Sequence, residues 1–499
     1  MISKILVANR GEIAVRLIRA CRELGISSVA VFSEADAQSL HVQMADEAIP
    51  LGPSPPLQSY LDMDKIIAVT KQVCADAIHP GYGFLAENAQ FVRRCEEEGI
   101  IFIGPSSAAM ALVGDKVEAR RTVEKAGVPT IPGMIAKSTD PDFLEQQARA
   151  IGFPLLVKAS AGGGGKGMRL VRSSAELRSA LEAGIREATT AFGDGSLYLE
   201  RYLEEPHHVE FQVLADHHGN AVHLFERECS VQRRYQKIVE ETPSPTLTNE
   251  LRTEMAEAAL RVIKACSYTN AGTVEFLVDS EGRYYFLEVN ARIQVEHPIT
   301  ELVTGIDLVR QQILIASGQR MRLRQEELRQ RGHAIECRIY AEDPEQDFLP
   351  SFGKILLVHE PSGPGIRNDS GIYTGLEVSM HYDPLLAKLI AWGEDREQAR
   401  LRMRAALAEY AILGIRTQIP FLRALIDHPA FIAGQTTTDF IARHFPVFRQ
   451  PATSSWAEEA ALVAVAISEF ESAQAPPAEG RRRFSPWLDL GSWEIGQPR

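Results

Sequence analysis

From its first residues the chain alternates short apolar runs with amphipathic helical patterns, and that alternation leaves few folds open. Lys4–Ala8 predicts a strand. Gly11–Leu24 predicts a helix with Ile13, Ala14, Leu17, Ile18, Cys21 and Leu24 on one face, stopped by Gly25. Ser28–Phe32, Ala75–His79 and Ile100–Ile103 read as further strands, the last two entering Gly/Pro turns. Alternating β and α elements imply a parallel sheet covered on both faces. This first domain is expected to end near residue 115.

A chain of 499 residues is too long for that one core, so two to four domains are expected. Beyond Asp115 the texture changes. Val128–Gly133 reads as a linker, Pro154–Lys158 as a strand, and Ala161–Gly167 (AGGGGKG) as a glycine loop. Leu197–Leu203 and His208–Leu214 read as strands. A hairpin from Thr273 to Glu296 is expected to turn at Asp279–Gly282. A third region, about 331 to 446, carries strand patterns at Ala334–Tyr340 and Leu386–Ala391 and a helix from Glu397 to Tyr410. Ala473–Gly480 is Pro/Ala-rich and Arg481–Arg483 is a short basic run, so the tail reads as a linker.

The net charge of −13 argues against nucleic acid or an anionic membrane as the main partner. An anionic substrate would then need a local cluster of Lys and Arg. Cys21, Cys74, Cys95, Cys229, Cys266 and Cys337 form no CxxC pair, and scattered thiols suit a reducing compartment. The opening residues read as a core strand, so no leader is expected. No run of about 18 apolar residues occurs, so no membrane span is expected. The cytoplasm is the expected location.

The second hairpin strand carries the chemistry. Successive strand side chains point to opposite faces. Glu288, Asn290, Arg292, Gln294 and Glu296 then share one face, and Leu287, Val289, Ala291, Ile293 and Val295 the other. An amphipathic surface strand is the bland alternative. Two carboxylates, two amides and an Arg read better as ligands. With a two- or four-residue turn, Glu275 faces Phe286 and lies diagonal to Glu288. The two carboxylates with Asn290 make a hard oxygen site suited to magnesium and phosphate.

The glycine loop lacks the GxxxxGK[ST] arrangement of a P-loop. Between two strand patterns it predicts a mobile hairpin lid over phosphates, with Lys158 aimed at the same groups. Gly81–Ala86 (GYGFLA) matches GxGxxA, but His79-Pro80 precedes it and no acidic strand end follows at the right distance. NAD binding is rejected.

Five separated segments carry a family resemblance: Val7–Ala14 (VANRGEIA), His79–Leu85 (HPGYGFL), Gly163–Met168 (GGGKGM), Gln232-Arg233-Arg234, and Glu288–His297 followed by Pro298. Through them the chain resembles biotin carboxylase, the ATP-grasp component of biotin-dependent carboxylases such as acetyl-CoA or acyl-CoA carboxylase. The resemblance covers residues 1 to about 446. It implies an α/β and α+β architecture. A Rossmann-like domain would span 1–114 and an ATP-grasp domain 115–330, with a mobile glycine-rich lid at about 131–203. A C-terminal domain would span 331–446, leaving 447–499 as a linker-like tail.

The same resemblance implies roles. Lys116 and Lys158 would meet the ATP α- and β-phosphates, under the lid residues Gly163, Gly164, Gly165, Lys166 and Gly167. Glu200 and the backbone of Arg201 and Leu203 would form the adenine hinge. His208 and Gln232 would contact ribose and phosphates, and Lys237 the γ-phosphate. Glu275 and Glu288, with Asn290 beside them, would hold magnesium or manganese. Arg292, Gln294 and the Val295 N–H would cradle bicarbonate, with Glu296 as the base. Arg338 would stabilise the biotin enolate, with Tyr82 and Gly83 lining that side. The catalytic set is therefore Glu296, Arg292, Arg338 and Lys237.

The resemblance also implies a homodimer using the Arg16–Glu23 helix and Arg367. No Met-Lys dipeptide occurs, so biotin would arrive as a substrate on a separate biotin carboxyl carrier protein, with carboxyltransferase subunits choosing the acceptor. Tyr235 stands where the family pattern has His, so no role is assigned to it. Arg201 stands for a common Lys, which a backbone contact would survive. The Phe484–Trp493 stretch is similar to the segment following the carboxylase domain in long acyl-CoA carboxylase α subunits. Two other readings stay open: an ATP-grasp ligase joining a carboxylate to an amine through an acyl phosphate, and a regulatory nucleotide-binding subunit.

Overall fold

In a computed structural model of the protein, residues 2–136, 140–159, 169–192 and 197–450 are described. The expected parallel sheet forms first. β1 (Lys4–Val7), β2 (Ser27–Ser33), β3 (Glu47–Gly52), β4 (Ala77–His79) and β5 (Ile101–Phe102) lie in the order β3-β2-β1-β4-β5, all parallel. Ile5, Leu6 and Val7 are buried, as a strand covered on both faces requires. Helix α1 (Gly11–Glu23) packs Ile13, Ala14, Leu17, Ile18 and Cys21 inward, and Gly25 follows it at φ +68. β3 carried no strand signal because it contains Pro50 and is mostly half-exposed. It sits at the sheet edge, where a missing N–H is tolerated.

A second, antiparallel sheet comprises β6 (Gly133–Ala136), β7 (Leu155–Ala159), β8 (Arg169–Val171) and β9 (Leu197–Arg201), in the order β6-β9-β7-β8. Its own small core includes Leu144, Leu155, Val157, Leu177, Leu181 and Leu199. β7 and β8 pair as the two arms of a hairpin. The Ala161–Gly167 loop between them lies outside the described residues.

The site rests on the third sheet. It contains β10 (His207–Ala215), β11 (Ala221–Arg233), β12 (Gln236–Thr242), β13 (Asn270–Val278), β14 (Tyr284–Asn290) and β15 (His333–Tyr340). Their order is β14-β13-β10-β11-β12-β15, continued by strands Leu385–Gly393 and Ile366–Ser370, all antiparallel. The strands expected in the third region thus extend this sheet.

One expectation fails here. The strand foreseen through Glu296 ends at Asn290, and helix His297–Thr304 follows, with Pro298 in its first turn. The alternation did report burial correctly at Ala291 and Ile293. Ile293 enters the same core as Ile13 and Leu17 of α1. The chain leaves strand geometry between Asn290 and His297, and Arg292, Gln294 and Glu296 join one network around Glu275 and Lys237 instead of lining a flat face.

The six cysteines are unpaired, and among the described residues no helix is long and apolar enough to cross a membrane. The expectations for Ala473–Gly480, Arg481–Arg483 and Phe484–Trp493 lie outside the described residues.

Candidate active site

Hairpin β13–β14 places the first carboxylates. Glu275 lies directly opposite Glu288, and Thr273 opposite Asn290. A register shift between Glu275 and Phe276 produces this pairing. It makes Phe276, not Glu275, the partner of Phe286, so the diagonal arrangement foreseen from turn length is corrected.

Lys237 is the hub. Its Nζ lies 2.5 Å from Glu210 Oε2 and 2.8 Å from both Glu275 Oε1 and Glu296 Oε1. Gln232, its register partner on β11, donates from Nε2 to His208 Nδ1 at 2.7 Å, and His208 Nε2 sits 2.9 Å from Glu275 Oε2. The turn joining β11 to β12 puts Arg234 and Tyr235 at positive φ, as a tight two-residue hairpin turn demands. Tyr235 is exposed there.

The anion end is tied to the hub. Arg292 donates from NH1 to Gln294 Oε1 at 2.9 Å and from NH2 to Asn290 Oδ1 at 3.0 Å. Both amides in turn donate to Glu275 Oε1, Asn290 at 2.8 Å and Gln294 at 3.1 Å. Glu87 anchors the group from outside, accepting from Arg292 Nε at 2.9 Å and from the Ala291 N–H at 3.0 Å. Glu296 is fully buried, and its second oxygen accepts from Arg338 NH2 at 3.1 Å.

The Tyr82–Gly83 loop is held from below. Asn9 Nδ2 donates to the carbonyls of Pro80 and Tyr82, each at 2.7 Å. Gly81 has φ +61, and a Cβ there would lie 3.0 Å from Ile13 Cγ1 and 3.1 Å from Asn9 Nδ2, so the loop needs glycine. Lys388 Nζ lies 6.0 Å from the Tyr82 ring centre and donates to the Val295 carbonyl at 2.9 Å. Position 295 therefore joins the site network through its carbonyl.

The remaining foreseen residues sit on β7, β9 and the helix that begins at Lys116. Lys158, expected at the phosphates, and Glu200, expected at the adenine hinge, form an ion pair across β7 and β9. The Arg201 N–H donates to the Pro132 carbonyl at 2.8 Å, and Leu203 is half-buried just beyond. Lys116 begins helix Lys116–Lys125, where its charge acts on Glu288. Gly163, Gly164, Gly165, Lys166 and Gly167 fall outside the described residues.

Sequence reasoning missed Glu210, Arg227, Glu240, Glu336 and Lys388, all fully buried. Arg227 pairs with Glu210 and donates to Gln212 Oε1 at 2.7 Å, Thr300 Oγ1 at 3.0 Å and Thr273 Oγ1 at 3.1 Å. A signal was present on β10: His208, Glu210 and Gln212 alternate with Val209, Phe211 and Val213, the same two-residue period that exposed the hairpin.

Electrostatics distinguishes the carboxylates. Burial pushes Glu296 toward protonation, but Lys237, Arg338 and Arg227 outweigh it and hold the carboxyl well below its usual range. Burial likewise opposes ionisation of Glu275, and Lys237 with His208 overrides it. Desolvation by the surrounding chain and the facing Glu275 raise Glu288, although its side chain keeps an exposed side. Lys237 is desolvated too, yet three carboxylates raise it well above an ordinary lysine.

Glu296→Gln should show this in its stability. A depressed native value stabilises fully above the unfolded value of about 4.3, and the contribution is lost as pH falls through the native value. The stability gap between wild type and variant, read from urea midpoints, should narrow as pH falls below about 4. A gap that does not narrow there would contradict the assignment.

The metal fit can be tested on the same residues. Glu275 and Glu288 face each other with like charge, and after desolvation this repulsion is the next cause that raises Glu288. A divalent cation between them would relieve that repulsion, and hard oxygen ligands suit magnesium or manganese. His208, Glu210 and Glu275 also bring ligand atoms within 4.8 Å of one another. The Asn290 side-chain oxygen accepts from Arg292, and its amide donates to Glu275. The carboxylates fit a metal, with Asn290 beside them.

A large antiparallel sheet carrying a Lys–Glu cluster and an Arg–amide cradle, together with a separate four-stranded antiparallel sheet, is the arrangement of an ATP-grasp ligase. The sequence matches the families described as biotin carboxylase, N-terminal domain, over residues 1–110, carbamoyl-phosphate synthase L chain, ATP binding domain, over 115–324, and biotin carboxylase C-terminal domain over 336–443. It is 52% identical over 442 residues to biotin carboxylase 1 of Bacillus subtilis, covering 88% of this chain and 98% of that one. The biotin carboxylase domain dimer of Hydrogenobacter thermophilus 2-oxoglutarate carboxylase, solved with MgADP, ADP and bicarbonate, superposes with a TM-score of 0.85 at 48% identity, covering 91% of this chain and 100% of that one. The pyruvate carboxylase of Rhizobium etli superposes with a TM-score of 0.85 at 46% identity, covering 91% of this chain and 41% of that longer one. The chain belongs to the biotin carboxylase family.

Proposed function

We propose that this chain carboxylates biotin on a carrier protein with ATP and bicarbonate, the first half-reaction of a biotin-dependent carboxylase. The observation that carries the reading is Glu296. It is a fully buried carboxylate kept ionised between Lys237 and Arg338, beside the Arg292–Gln294 cradle. That is the equipment for orienting a small oxyanion and taking its proton.

Arg292 and Gln294 orient bicarbonate, and Glu296 accepts its proton, turning a poor nucleophile into a better one. The oxygen attacks the γ-phosphorus of ATP; the bond to the β–γ bridging oxygen breaks, and ADP leaves. Lys237 offsets the charge that develops on the transferred group. Glu275 and Glu288 would hold magnesium or manganese, which would supply positive charge against the phosphates. Carboxyphosphate then yields CO2 and phosphate in a closed pocket. Phosphate takes the proton from biotin N1, Arg338 stabilises the ureido oxyanion, and N1 attacks CO2. Lys116, Lys158, the lid glycines, Glu200, Leu203, His208 and Gln232 form the ATP side of this reading, and Tyr82 with Gly83 the biotin side.

The homodimer, the carrier, the transferase partner and the cytoplasmic location belong to the same proposal. The dimer named for the Hydrogenobacter relative supports the first of these, and six unpaired thiols support the last. The division at residues 114, 330 and 446 is likewise part of it. The acceptor is left open, because the relatives named above include both a pyruvate and a 2-oxoglutarate carboxylase.

The test is ATP hydrolysis that requires bicarbonate and rises with free biotin. Arg338→Ala should abolish the rise while sparing ATP binding. Hydrolysis that required an amine and ignored biotin would instead identify a carboxylate–amine ligase.

A further inference from the structure

Behind Arg338 lie two carboxylates that the reaction above leaves unused. Glu240 on β12 and Glu336 on β15 are register partners, and both are fully buried. Directly opposed side chains share one face of a sheet, with Cβ atoms roughly 5 Å apart. Glu240 Oε1 accepts from Arg338 Nε at 2.6 Å. The other Glu240 oxygen and both Glu336 oxygens have no hydrogen-bond partner among the described residues.

The cations facing this pair are already engaged. Arg338 shares its NH2 with Glu296. Lys237 is bound by Glu210, Glu275 and Glu296. Lys388, the register partner of Arg338, donates to the Val295 carbonyl and sits 3.3 Å from Glu12. Two ionised carboxylates on opposed positions of one buried sheet face repel strongly. One proton removes the repulsion and supplies a hydrogen-bond donor to the pair. Burial pushes Glu240 up to about 7 and Glu336 well above the carboxylate range, in the same direction.

We propose that Glu240 and Glu336 share one proton, and that Glu240, the ionised member, is a positioning residue for Arg338. Glu336 carries the proton because only Glu240 accepts from a guanidinium. Fixed through Nε, Arg338 keeps its NH2 on Glu296 and its orientation toward the biotin side. Without the Glu240 charge, Glu296 becomes its only ionised anchor, and the guanidinium shifts toward the base.

This inference rests on the biotin carboxylase reading, and the experiment separates the two. Two rates are measured on the full chain with free biotin: bicarbonate-dependent ATP hydrolysis without biotin, and biotin carboxylation. If wild type shows neither, the reading of function fails. If wild type shows both, Glu240→Gln should lower kcat for biotin about 10- to 100-fold and biotin-independent hydrolysis less than about threefold, because misplacement of a positioned group by an ångström costs up to that much. Glu336→Gln keeps a neutral donor toward Glu240, so its loss in the biotin rate should be far smaller. It should also remove a protonated-carboxyl stretch from the infrared spectrum at neutral pH. Equal losses in both rates for a folded Glu240→Gln protein would overturn the inference. So would equal losses in the two variants, or no protonated-carboxyl band assignable to Glu336. Should Glu240→Gln fail to fold, the Glu336→Gln rates and its infrared band still decide.

Discussion

Lys237→Met is expected to lower bicarbonate-dependent ATP hydrolysis by about 10²- to 10³-fold, the usual cost of removing one preorganised donor from a developing charge. Lys237 does more than face phosphate. Its Nζ holds Glu210, Glu275 and Glu296 together within 2.8 Å. Met preserves the length of the stem and removes the charge. The three carboxylates then repel in a buried site, and protonation becomes their cheapest relief. Glu296 is the worst placed to accept this, since a protonated base cannot take the proton of bicarbonate. The variant should therefore lose activity mainly in kcat, with an acid limb moved to higher pH. Steady-state rates against pH check this, and a variant that retains more than about a tenth of the rate would contradict the hub assignment.

Arg227→Met should destabilise the fold by about 3–5 kcal/mol, the range for removing one partner of a buried charge pair. Arg227 is fully buried, and its guanidinium binds Glu210, Gln212, Thr273 and Thr300 from three separate segments. Removing it leaves Glu210 with Lys237 as its remaining cation and strips donors from three buried oxygens. The urea midpoint should fall accordingly. Adding Glu210→Leu to the same chain should recover part of the loss, because the stranded charge goes with it. A single variant that unfolds within about 1 kcal/mol of wild type would show that the network is not what holds these segments.

The two residues differ in how visible they were beforehand. Lys237 stands beside the Gln232-Arg233-Arg234 motif, which carries the resemblance. Arg227 lies in a stretch, Ala221–Arg233, that gave no strand expectation, because Phe225 takes positive φ and the ladder shifts register after Glu228. Glu275 and Glu288 were legible as a pair because a strand shows one face every second residue. Their direct opposition was not, because a bulge of one residue leaves no periodic trace. Glu87 lies close to the Tyr82 loop in sequence. Only the fold brought it onto Arg292 and the Ala291 N–H.

Local order determined the parallel sheet, strand β7, and the polar alternation from Glu288 to Asn290. Each follows from a period along one stretch of chain, which neighbouring residues suffice to set. The tertiary structure decided what depends on distant strands meeting. It ended the polar strand at Asn290 and brought Arg292, Gln294 and Glu296 into one network around Glu275 and Lys237. It joined β12 to β15, so that Glu240 meets Glu336 and Arg338 reaches both Glu240 and Glu296. It also gathered three carboxylates on one lysine. The charge state of each depends on burial and on partners from other strands, and no property of the residue or its neighbours in sequence contains that.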